Sequence, residues 1–139
     1  MRYKLILTTV YLTVVAACGK HPINGKLDGR WQLMVIDYHH PDSVSHNPEF
    51  TYFDFQLKLM QLARTGGDEY KTKSIWTRFH HNEDSLHIQA ISNNGKKIQP
   101  KEMLPFGMND TIQHFKVEEL TGKRMILNST YTRLELRKF

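Results

Sequence analysis

Over most of the chain, apolar and polar residues alternate with a period near two. That is the spacing at which a β-strand buries one face and wets the other. In "FTYFDFQLKLMQL", Phe53, Phe55, Leu57 and Leu59 share one face, and Asp54, Gln56 and Lys58 share the other, which predicts a single long strand. "EYKTKSIWTRFHH" sets Ile75, Thr77 and Phe79 against Trp76 and Arg78, and "SLHIQAIS" groups Leu86, Ile88 and Ala90. "WQLMVIDY", "TIQHFKVEEL", "RMILNS" and "YTRLELRKF" are further strands, rich in residues that suit a pleated, half-buried surface. "TGGD", "NED", "NNGK" and "TGK" supply turns, and Asn-Gly tolerates the positive φ of a tight hairpin. "HHPDSVSHNPE" reads as a long loop, and "KKIQPKEMLPFGMND", with Pro100 and Pro105, as irregular chain. No segment carries a convincing helical period. About eight short strands with close turns predict an all-β fold, an antiparallel up-and-down barrel or a sandwich. Closure into a barrel removes the exposed sheet edges.

The N-terminus follows a different rule. Arg2 and Lys4 precede an apolar run from Leu5 to Ala17. The run is shorter than the roughly 20 residues of a membrane span. It has the order of a secretory signal: basic start, apolar middle, small residues at the exit. Val15-Ala16-Ala17-Cys18 resembles the lipobox of bacterial lipoproteins. In that family the cysteine thiol receives a diacylglycerol, the signal is cut before it, and the new amino end is acylated. The resemblance implies a signal peptide over 1–17, a lipidated tether over 18–24 and the β-domain over 25–139. It further implies a membrane partner through the lipid at Cys18, in a Gram-negative envelope. Gly19, in place of an inner-membrane retention Asp, implies the outer membrane. "GKHPIN", with no acidic run, implies its periplasmic face. Cys18 is the only cysteine, so no intrachain disulfide can form and the domain must stand on its core.

Composition narrows the function. A mature chain of 122 residues suits one domain with a real core. The 19 Lys and Arg, less the two in the leader, leave 17 against 14 acids, or about +3. Basic and acidic residues interleave, with no basic stripe among aromatics, so nucleic acid is not an expected partner.

At the head of the mature domain, "KLDGRWQLMV" opens its strand with Gly29-Arg30-Trp31. This resembles the lipocalin and calycin families, whose first strand begins Gly-x-Trp. The closing segment "FKVEELTGKRMILNSTYTRLELRKF" also resembles the ends of small lipocalin-like lipoproteins. The resemblance implies that Trp31 plugs the closed end of an eight-stranded barrel. It also implies that a cation from the last strand covers the ring, with Arg137 favoured over Arg133. The inward residues Phe53, Phe55, Leu57, Ile75 and Phe79 would then line a ligand pocket or fill the core.

Candidate chemistry is sparse. His39, His40, Asp42 and His46 stand together, as do His80, His81, Glu83, Asp84 and His87. No spacing matches a zinc motif, and neighbours on a strand point to opposite faces, so no metal site is predicted. No nucleophile elbow or phosphate loop occurs, and the adjacent Glu118 and Glu119 diverge, so neither catalytic residues nor a cofactor are expected. The predicted function is non-catalytic binding of a small, partly apolar molecule. The alternative is a filled barrel that binds an envelope protein through its surface, with Tyr52, Trp76 and Tyr70 on the outer face.

Overall fold

The alternation that reads as one strand from Phe50 to Leu62 is interrupted, in the computed structural model, by a two-residue turn at Leu57-Lys58. The structure describes residues 23–139 apart from Asp42, Asn47, Glu49, 67–72 and 93–94. The leader, Cys18 and Tyr70 lie outside the described residues. The strands are β1 (Gly29–Tyr38), β2 (Ser43–His46), β3 (Thr51–Gln56), β4 (Leu59–Arg64), β5 (Lys73–Asn82), β6 (Ser85–Ser92), β7 (Ile112–Leu120), β8 (Arg124–Asn128) and β9 (Thr132–Lys138). A 3-10 turn, Gly25–Leu27, precedes them, and a short helix, α1 (Pro100–Met103), runs on into a 3-10 turn over Leu104–Phe106.

Every pairing is antiparallel. β3 to β9 follow one another as a meander, and β1 pairs with β9 from Trp31↔Lys138 to Tyr38↔Thr132, which closes the sheet. The first half of β1 pairs with β3 and its second half with β2. Eight strands therefore form the barrel, and β2 extends its rim beside β1. The predicted antiparallel barrel of about eight strands is the fold observed. The expected loop "HHPDSVSHNPE" contains β2, a strand of mostly exposed residues without an apolar face to announce it.

Among the described residues, side chains crowd the interior. Trp31, Leu33, Phe53, Phe55, Met60, Leu62, Leu86, Ile88, Phe115, Leu134 and Leu136 form one buried cluster. The barrel's two ends differ. The turns at Leu57-Lys58, Glu83-Asp84 and Thr121–Lys123 lie at the end where Trp31 enters. The long β6–β7 connection lies at the other. It carries α1 and the 3-10 turn after it, and this segment acts as a plug that inserts Met103, Phe106 and Met108 into the same core. The reading of this segment as irregular is corrected. Pro100 sits in the first turn of α1, where its missing N–H costs nothing. The Glu102 carboxylate accepts the Gln99 N–H at 2.7 Å.

Gly107 ends the plug. Its φ is +73°, and a Cβ there would lie 2.5 Å from Leu134 Cδ2, so only glycine lets the chain pass so close to β9. Its carbonyl accepts the buried Thr132 hydroxyl, which ties the plug to the wall.

Candidate functional site

At the closed end, Trp31 is fully buried and its indole N–H donates to the Leu27 carbonyl at 2.8 Å. The 3-10 turn thus folds beneath the ring. The cation over the indole is Lys138, with Nζ 4.5 Å from the ring centroid. Its ammonium also donates to the Asp28 and Lys26 carbonyls. Burial pushes its pKa down, against the pull of the Asp28 carboxylate. The expectation for Arg137 and Arg133 is corrected. Both lie on the outer face, one residue out of phase with Leu134, Leu136 and Lys138. Arg137 donates twice to Gln32 Oε1, at 3.1 and 2.9 Å. Arg133 pairs with Glu135 at 2.8 Å and Glu118 at 3.3 Å. Gly29 has a separate reason to be glycine: at φ +111°, a Cβ would meet Lys138 Nζ at 3.0 Å.

The five residues expected to line a pocket separate into three groups. Phe53 and Phe55 are core. Phe53 packs against Phe106 of the plug at 6.4 Å, and Phe55 meets the half-buried Phe79 edge-on at 5.1 Å. Leu57 is corrected: it is 60% exposed, in the β3–β4 turn, with φ +56°. Ile75 alone of the five lines a described pocket.

That pocket, about 340 Å³, opens between the plug and the β4–β5 wall. Ile75, Pro105 and Phe106 supply apolar surface, Arg64, Lys73 and Lys101 supply three cations, and Glu102 supplies one carboxylate. A second space of about 340 Å³ continues past Pro105 and Arg64 towards Tyr38, Ser45, His46 and Thr51. Periodicity finds Ile75 because it is an inward strand residue. It misses Arg64 and Lys73 because they end their strands at the rim, where alternation no longer assigns a face. It misses Lys101, Pro105 and Phe106 because they belong to a segment too short to show a period.

The outer aromatics are also sorted by the fold. Tyr52 is only 8% exposed, held between Phe139, edge-on at 5.3 Å, and the Arg30 guanidinium at 4.9 Å. Arg30 is itself paired with Asp54 at 2.8 Å. Trp76 remains 43% exposed.

A family model described as a lipocalin-like domain matches residues 12–139. The chain belongs to the lipocalin-like family. The resemblance carried by Gly29-Arg30-Trp31 is therefore the correct one. Among solved structures, the chain is similar to a lipocalin-like protein from Bacteroides uniformis, at 19% identity and a TM-score of 0.68, over 83% of this chain and 100% of that one. It is similar also to an uncharacterized protein from Bacteroides eggerthii, at 22% identity and a TM-score of 0.65, over 81% of this chain and 98% of that one. At these identities the likeness is one of fold. No curated protein sequence matches the chain. Within this lipocalin-like barrel, the α1 segment packs Met103 and Phe106 against the core, and a pocket among the described residues opens beside it.

Proposed function

We propose that this chain is a lipid-anchored envelope lipoprotein whose barrel binds a small, partly apolar ligand without catalysis. The observation that carries the reading is the rim pocket, where apolar Ile75, Pro105 and Phe106 stand beside Arg64, Lys73 and Lys101. An amphiphile with one acidic group fits that chemistry: its apolar part displaces water from the wall, and its anion meets the cations. The volume, about 340 Å³, is at the small end of the range for ligand pockets. The core below carries many buried side chains, which favours a ligand at the mouth.

The anchor rests on the lipobox-like Val15–Cys18. Two or more acyl chains at Cys18 give stable membrane residence, where one chain gives only marginal binding. The same reading puts the domain at the periplasmic face of the outer membrane. The crowded interior together with exposed Trp76 favours a second reading, an envelope interaction protein that binds a partner through its surface.

Titration with medium-chain alkyl carboxylates and the matching alcohols separates the two. The ligand reading expects the carboxylates to bind more tightly than the alcohols, and the preference to shrink in Lys73→Ala and Lys101→Ala. Equal, negligible binding of both series would remove it.

A further inference from the structure

Two histidines of the β5–β6 hairpin and a third, distant in sequence, become neighbours in the sheet. His80 of β5 lies directly opposite His87 of β6, and His87 directly opposite His114 of β7. Residues directly opposite on antiparallel strands share a face, with Cβ atoms about 4.5–5.5 Å apart. The face is the outer one, because the alternate residues Leu86, Ile88 and Phe115 are in the core. The His87 and His114 rings are already in contact, with centroids 3.4 Å apart and planes at 63°. Other histidines are committed elsewhere: His39 bonds Asn128 at 2.9 Å, and His81 bonds the Glu83 carbonyl at 2.9 Å.

We propose that His87 and His114 form a cross-strand chelate for a late first-row divalent metal ion, with His80 the third imidazole within reach. Metal–imidazole bonds are about 2.0–2.1 Å, so two nitrogens on one tetrahedral ion sit about 3.3 Å apart. Rings whose centroids lie 3.4 Å apart can present nitrogens at that separation. As the side chains stand, no group of three or more His, Cys, Asp or Glu among the described residues is placed to hold a metal. The site is therefore a two-imidazole chelate, whose remaining positions go to water, an incoming donor, or His80 after rotation.

The flanking rows set the selectivity. Arg78, Gln89 and Ile112 lie on one side, and Asn82, Ser85 and Lys116 on the other. With cations and no carboxylate in those rows, a hard ion held by charge is disfavoured. Imidazole donors suit zinc, copper and nickel. Only neutral imidazoles ligate.

The test is calorimetric titration of EDTA-stripped, untagged protein with copper, nickel or zinc at neutral pH. It includes His87→Gln, His114→Gln, the double variant, and His46→Gln as a distant control, with circular dichroism to confirm the fold. One ion per chain is expected. Either single substitution should weaken binding about tenfold or more, because the second donor no longer acts at high effective concentration. The control should bind as the native chain does. The ion should raise the thermal midpoint of the native protein and leave that of the double variant unmoved. No saturable binding by the native chain, or binding retained by the double variant, overturns the proposal.

Discussion

Trp31 ties the 3-10 turn, the first strand and the last strand together. It is buried without remainder, it holds the Gly25–Leu27 turn through its N–H, and Lys138 caps it. Replacing it with Ala should cost about 3–5 kcal/mol, as for other large core aromatics, out of a total of about 5–15. Lys138→Met should cost much less, about 0.5–2 kcal/mol, because the ring stays covered and only the cation is lost. Urea denaturation of both variants checks the ranking. Equal losses would mean that the cation, not the burial, secures this end. The identity of that cation could be read from the sequence. Leu134 and Leu136 set the inward parity of the last strand, and Lys138 continues it while Arg133 and Arg137 do not. Leu57 could not be read in this way. Its turn has neither Gly nor Asn at the position of positive φ, so the alternation appears to run straight through it.

Among the elements, the α1 plug was the least legible and is central to the site. Four helical residues are too few to show a 3.6-residue period, and Pro100 and Pro105, which serve as helix starters here, read as breakers. Gly107→Ala tests how tightly the plug must approach β9. Both the left-handed φ and the overlap with Leu134 oppose a methyl group, and a loss of about 1–3 kcal/mol in urea midpoint analysis is expected. A neutral outcome would mean that the plug can lift from the wall.

The β5–β6–β7 ladder adds a pH dependence whose sign is fixed. His87 has a folded pKa below the ordinary imidazole value, mainly through desolvation and then through His114 and His80. As the pH drops through 6.5, the unfolded chain takes the proton first, so stability present at higher pH is lost in acid. Glu118 and Glu135 act in the same sense at lower pH. Asn128 chiefly holds the first below the usual carboxylate range, and Arg133 the second. The denaturation midpoint should therefore fall between about pH 7.5 and 5.5, and His87→Gln should flatten that slope. An unchanged slope in the variant would assign the effect to other groups.

At the scale of the molecule, the antiparallel all-β fold was legible because its information is distributed over strands that repeat nearly the same period, and the Gly29-Arg30-Trp31 resemblance pointed to a barrel rather than a sandwich. The rim pocket was not legible, because it is assembled from strand ends and a plug that meet only in three dimensions. The proposed anchor belongs to the chain end. Cys18→Ser should leave an unprocessed precursor that takes up no labelled fatty acid, and equal labelling of the two would refute lipidation. The proposed function is that of a lipocalin-like barrel at the membrane that keeps a small acidic amphiphile at its mouth. Native mass spectrometry of the protein drawn from its own host's envelope addresses this directly. The predicted spectrum shows a chain beginning at an acylated Cys18 with one noncovalent small acid, released on gentle activation and missing from the Lys73→Ala, Lys101→Ala double variant. A bare chain, or one that carries a protein partner in place of a small molecule, would contradict it.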